Sequence, residues 1–185
     1  TSTDGGGDSG EVIQATSSAG GALLITTNDA DNDSEELQLK GEAFKLSTSK
    51  KAYFSARFKL SDATESDMLI GLAITDTTAI DGVSDGVFFK KDDGDTNLDF
   101  VVEKDSTETA TAAVGTVADD TFITATFFID PDRSKVYYSI NNAAPVGVVN
   151  TNLPDDEELT VTIAVQAGAA AAKSLTVDYV SAIVE

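Results

Sequence analysis

Along most of this chain apolar and polar side chains alternate one by one, and no other feature constrains the fold as much. Phe54, Ala56, Phe58 and Leu60 alternate with Tyr53, Ser55, Arg57 and Lys59. Successive residues of an extended strand point to opposite faces, so this run predicts a strand with one apolar face, whereas a helix would scatter the same residues around its axis. The pattern recurs in Leu159, Val161, Ile163 and Val165, in Val136, Tyr138 and Ile140, and in Leu175, Val177 and Tyr179. It places Tyr138 and Tyr179 on core-facing sides and leaves Tyr53 and Tyr137 facing outward. The runs 68–75, 87–90, 98–103 and 122–129 are partly apolar on both faces, as strands covered on two sides are.

Turn chemistry separates these runs at close intervals: 76–85, Asp92-Asp93-Gly94-Asp95, Asp119-Asp120, Asp130-Pro131-Asp132, Asn141-Asn142 and Pro154-Asp155-Asp156. Asx side chains bond nearby backbone and tolerate left-handed dihedrals, and proline pre-sets a turn torsion. No long helical segment interrupts them. The best candidate, Ala167 to Lys173, contains Gly168 and is too short to hold as an isolated helix, so it reads as a loop. Many short strands with tight turns and no intervening helices predict an all-β, antiparallel, jelly-roll-like sandwich of two sheets. At 185 residues one domain is expected. The glycine- and serine-rich start has little to bury, so residues 1–21 are expected to be a flexible N-terminal arm with an anchoring strand from Glu11 to Thr16, and residues 22–185 the β-sandwich domain.

Composition narrows the function classes. Twelve Lys and Arg against 32 Asp and Glu give a net charge of -20. Such a surface repels a nucleic acid duplex or an anionic bilayer, so neither direct nucleic-acid binding nor membrane binding is expected. No apolar stretch is long enough for a membrane-spanning helix. The chain has no Cys and no His, which excludes thiolate nucleophiles, disulfides, imidazole general bases and Cys- or His-ligated metals. It has no Trp, the best stacking side chain for a sugar face.

Carboxylates therefore carry most of the remaining chemistry. Asp29, Asp31 and Asp33 have the spacing of the first three ligands of a calcium loop, but Ser34 stands where the loop needs Gly and Lys40 where it needs a bidentate Glu. Asp92, Asp93 and Asp95 form a weaker cluster beside Lys90 and Lys91, whose charge should soften it. A glycosidase needs two acids across a cleft. Glu65 with Asp67, and Glu157 with Glu158, are instead expected in solvated turns. Of the four tyrosines only Tyr53 and Tyr137 remain as outward aromatics, too few to make a site. The expectation is no catalytic residue, no metal ligand, no cofactor and no enzymatic activity.

The segments Gly41-Glu42-Ala43-Phe44, Tyr53-Phe54-Ser55-Ala56-Arg57-Phe58-Lys59-Leu60-Ser61-Asp62 and Ile70-Gly71-Leu72-Ala73-Ile74-Thr75-Asp76 resemble a group of tailed-bacteriophage virion proteins. The resemblance continues through 80–85, 155–160 and 175–180 and covers most of the chain after about Ala22. It rests on strand-and-turn patterns, and it departs from the group at Asn141-Asn142, where Asn-Gly or Asp-Gly is common. It implies a concanavalin A-like, laminin-G-like sandwich. It also implies a non-enzymatic structural role on the virion, as a decoration or surface protein of the head, with the major capsid protein or another virion protein as partner and a homo-oligomer as a possible form. The alternative from a different class is a lectin-like carbohydrate-binding module.

Overall fold

The computed structural model describes residues 2–4, 11–14, 20–130, 132 and 135–185. Their strands, all paired antiparallel, make two sheets. The eight-stranded sheet runs β1 (Ser2–Asp4), β4 (Ser34–Gln38), β14 (Glu158–Ala167), β7 (Ser66–Ala73), β8 (Gly86–Lys91), β9 (Asn97–Lys104) and β10 (Thr107–Thr116), with β5 (Phe44–Lys45) also pairing to β14. The seven-stranded sheet runs β13 (Val146–Val149), β12 (Lys135–Ile140), β11 (Ile123–Asp130), β6 (Ala52–Leu60), β15 (Ser174–Val184), β3 (Leu23–Thr26) and β2 (Glu11–Gln14). The all-β, two-sheet architecture is the one the alternating pattern predicts, and residues 168–173 form the loop between β14 and β15.

The inner faces meet on phenylalanines. Phe54 and Phe127 stack at 5.1 Å, and Phe89 and Phe100 of the opposite sheet lie 6.3 and 5.9 Å from Phe127. All four are fully buried, which stabilises the fold by roughly 1.5–3 kcal/mol for each ring. Tyr138 faces this core as expected, its ring 5.4 Å from Phe100.

Tyr179 does not face the core. The register of β15 against β6 shifts between Val177 and Tyr179, so Asp178 is an extra residue, a β-bulge, and the alternation changes parity there. Leu175 and Val177 face inward before the bulge; after it Val180, Ala182 and Val184 do, while Tyr179 is 43% exposed.

Several strands lack the apolar signature. β4 reads Ser-Glu-Glu-Leu-Gln, yet Glu35 and Glu36 are both buried. β10 is an edge strand of small and polar residues, entered through a tight turn in which Asp105 and Ser106 have φ of 50° and 56°. The Asn141-Asn142 turn has the same left-handed pair, with φ of 50° and 59°. Ser2–Asp4 pairs with β4 and Glu11–Gln14 with β3, each at one edge of its sheet, while the rest of the expected arm up to residue 19, including the end of its anchoring strand at Thr16, lies outside the described residues.

The outward faces of the two sheets differ. On the eight-stranded sheet, Leu69, Ala73, Phe88, Val101 and Ala164 form a second apolar cluster roofed by the loop 74–85, which carries Ala79 and Val83 onto it with Ile74 and Ile80 alongside. Gly71 is essential to that surface: a Cβ there would lie 2.5 Å from the Cα of Phe88.

Candidate functional site

Among the described residues the outward face of the seven-stranded sheet carries no such roof, and cross-strand register brings Tyr137, Phe128 and Tyr53 into one row. Phe128 lies opposite Tyr137 on β12 and opposite Tyr53 on β6, and Tyr53 lies opposite Ile183 on β15. Phe128 and Tyr137 stack at 4.8 Å with their planes 7° apart. Tyr137 also covers Gly147 of β13, where a Cβ would come within 2.8 Å of its ring. Tyr53 is 41% and Ile183 60% exposed.

Between Phe128, Tyr53 and Ile183 lies a groove of about 470 Å³, with Lys51, Asp130, Asp132 and Glu185 along its margin. Hydroxyls continue the surface in the next row. Ser55 Oγ lies 2.9 Å from Thr126 Oγ1 and 3.4 Å from Tyr179 Oη. Beyond them Arg57 donates to Asp178 at 2.7 Å and sits 4.0 Å over the ring of Phe122. An apolar aromatic floor with acceptors at the margin suits a ligand with both C–H faces and hydroxyls. Sequence reasoning found Tyr53 and Tyr137 but missed Phe128, Tyr179 and Ile183. The signal for Phe128 was available, since it alternates with the inward Phe127 in an apolar run; for Tyr179 and Ile183 the bulge erased it.

The acidic candidates are dispersed. Asp33 is buried and its Oδ2 accepts the Asn28 amide at 2.6 Å, closing its own loop, while Asp29 and Asp31 point into solvent. Asp95 accepts the Asn97 amide at 2.6 Å, which with the Asn97 side chain holds its carboxyl below the usual range. Lys91 is turned into the sandwich instead of flanking the cluster at the surface, where its Nζ donates to the carbonyls of Ser66 at 2.6 Å and Asp92 at 2.8 Å. Burial lowers its pKa. Glu157 is exposed and Glu158 pairs with Lys45 at 3.3 Å in solvent. Asp67, expected in a turn, lies on β7; burial raises its pKa, and its Oδ1 accepts the Asp93 amide at 2.8 Å. Among the described residues no three acidic side chains converge on a point that could hold a metal ion.

A carboxylate pair does form where no motif announced it. Glu103 on β9 and Glu108 on β10 lie directly opposite each other, brought together by the Asp105-Ser106 turn. They line a cavity of about 230 Å³ on the outward face of the eight-stranded sheet, with Asp67, Leu69, Phe88 and Lys90. Lys90 Nζ is 3.4 Å from Glu108 Oε2. Burial, reinforced by the charge of Glu108, raises the pKa of Glu103.

No family model and no curated protein sequence matches this chain. Solved structures do match its fold. The potassium-bound carbohydrate recognition domain of Emp46p superposes with a TM-score of 0.67 at 12% identity, over 98% of this chain and 87% of that one. An endo-β-1,4-glucuronan lyase from the fungus Trichoderma reesei matches with a TM-score of 0.64 at 11% identity, over 98% and 94% of the two chains. A GH16 protein of the Bacteroides ovatus mixed-linkage glucan locus, solved with a product, matches with a TM-score of 0.61 at 12% identity, over 93% and 85%.

The expectation that the chain is not an enzyme is overturned as an inference. Its fold is shared by a lyase and a GH16 protein, so an expectation of no activity has no footing in the architecture. At these identities the likeness establishes architecture. The chain is an antiparallel two-sheet sandwich of the concanavalin A-like, jelly-roll fold.

Proposed function

We propose that this chain is a carbohydrate-binding β-sandwich that holds a glycan in the groove between Tyr53, Phe128 and Ile183. The observation that carries the reading is the cross-strand row of Tyr137, Phe128 and Tyr53 beside a groove of about 470 Å³ with carboxylates at its margin. Ring faces pack on the C–H face of a pyranose, and Asp130, Asp132 and Glu185 lie where they can accept from its hydroxyls. The fold supports the reading, since its relatives include a carbohydrate recognition domain and enzymes of polysaccharides. The three marginal carboxylates and the net charge of -20 favour a neutral glycan over a polyuronate.

The test is electrophoresis of the full chain through gels containing a neutral β-glucan, a mannan or alginate. Retardation by a neutral glycan is expected, with affinity falling about tenfold in Tyr53→Ala or Phe128→Ala, a size consistent with the loss of one stacking contact. Unchanged migration in every gel, or variants that bind like the parent, would refute it.

A second reading, a structural protein at the head surface of a virion with the major capsid protein as partner, draws on the sequence resemblance and on the edge positions of β1 and β2. Strands at sheet edges can pair with another chain, including a second copy of this one. Removal of residues 1–10 would then abolish co-sedimentation with virus particles while leaving glycan binding intact.

A further inference from the structure

The roof over the eight-stranded sheet rests on a carboxyl group that the proposed groove does not use. Glu36 lies on the outward face of β4, level with Ala164 of β14, and is only 2% exposed. Its Oε1 accepts the amide of Ile80 across 3.4 Å, the Ala79 amide also favours its charged form, and its Oε2 is buried without a hydrogen-bond partner among the described residues. The charged groups that act on it are Asp76 and Asp81, both carried by the loop and both repelling a second negative charge. On β4 its same-face neighbours are Ser34 and Gln38; on β14 they are Thr162, Ala164 and Gln166; on β1 the register position opposite is Thr3. None of these can bring a positive charge to the carboxyl.

The two ends of the loop are well tied. Ile74 donates its amide to Asp85 O at 3.0 Å, Thr75 to Glu42 Oε1 at 2.7 Å and Asp76 to Gln38 Oε1 at 3.2 Å, while Ser106 donates to Ser84 O at 2.8 Å. The crown meets the sheet through the Ile80 amide on Glu36 and through Ala79, Ile80 and Val83 on the apolar cluster.

We propose that the loop 74–85 is a pH-released lid: with Glu36 protonated its crown lies closed on the eight-stranded sheet, and ionisation of Glu36 lifts the crown between its tied ends.

A buried carboxylate with a vacant oxygen and two like charges above it is the least tolerable form of this side chain, and a proton on Oε2 removes the charge without moving an atom. Burial raises the Glu36 pKa from 4.5 to about 7 in the closed form. Opening returns the group to water and to its ordinary value. The closed form therefore binds the proton more tightly, so closure is strongest below about pH 4.5 and weakens as pH rises to about 7. Across that window each pH unit raises the open-to-closed ratio about tenfold, and above it the ratio is level. Opening would uncover Leu69, Phe88, Val101 and Ala164.

The experiment is hydrogen exchange of the full chain, followed by mass spectrometry over residues 77–83 and corrected for the intrinsic pH dependence of amide exchange. In the parent chain exchange is expected to accelerate on the order of a hundredfold from pH 5 to pH 7 and then level off. In Glu36→Gln, which keeps the shape and removes the charge, it should change less than about twofold. A flat parent profile, or a variant as steep as the parent, overturns the proposal. Should the variant not fold, the 13C carboxyl titration of Glu36 in the parent decides: a midpoint well above the ordinary value supports the lid, and a midpoint near 4.5 overturns it.

Discussion

The two outward faces of this sandwich are built from strands of similar length and treated in opposite ways. The eight-stranded sheet presents Leu69, Phe88, Val101 and Ala164, and the chain covers them with the loop 74–85. The seven-stranded sheet presents exposed Tyr53 and Ile183 with half-buried Phe128 and Tyr137, and none of the described residues covers them. An apolar surface of aliphatic and phenyl groups gains most by being roofed. On the open face Tyr53 and Tyr137 keep a hydroxyl in water while offering a ring, and Phe128 between them is half-buried. The contrast thus divides the molecule into a face that the chain covers itself and a face that the described residues leave uncovered.

That division can be broken by substitution. Phe88→Ala should cost about 3–5 kcal/mol, because a buried ring leaves a cavity under the roof, whereas Ile183→Ala on the open face should cost under about 1 kcal/mol. Urea denaturation would show equal losses if the faces were alike. Gly71→Ala should cost about 1–3 kcal/mol or more, since its Cβ would stand 2.5 Å from the Phe88 backbone and the strands would have to separate. Glu36→Gln should raise stability by about 1–3 kcal/mol at pH 8 and leave it unchanged near pH 4. The sign follows from a raised pKa: the parent loses stability as pH climbs past the ordinary carboxyl value, and the variant has nothing to lose. Thermal melts at the two pH values would measure it. Tyr53→Ala should move the melting point by less than a degree or two while weakening glycan binding about tenfold, and a variant that loses stability and binding together would show that the open face belongs to the core after all.

How much of this could be read beforehand follows the same physical line. Strands β6, β11, β14 and most of β15 announce themselves, because burial of one or both faces demands regular apolar spacing. β4 did not, because its four buried positions are Ser34, Glu35, Glu36 and Gln38, all polar, and β10 did not, because an exposed edge strand needs few large apolar residues. The open aromatic row was half legible: Tyr53 and Tyr137 follow from alternation, but their adjacency through Phe128 is a matter of register between strands distant in sequence. The Glu103 and Glu108 pair lay hidden behind a turn without glycine, since Asp105 and Ser106 both adopt the left-handed conformation that Asn-Gly usually signals.

Asp178 is one residue more than the pairing of β15 with β6 requires. Excising it would work like a frameshift in three dimensions: with the strand otherwise intact, Tyr179, Ser181 and Ile183 would exchange sides with Val180, Ala182 and Val184. The tail of the chain would then try to bury a phenol and a hydroxyl while turning three aliphatic groups out to water. A single inserted position thus lets one continuous ribbon keep aliphatic side chains on the interior along its whole length while Tyr179, Ser181 and Ile183 stand outside.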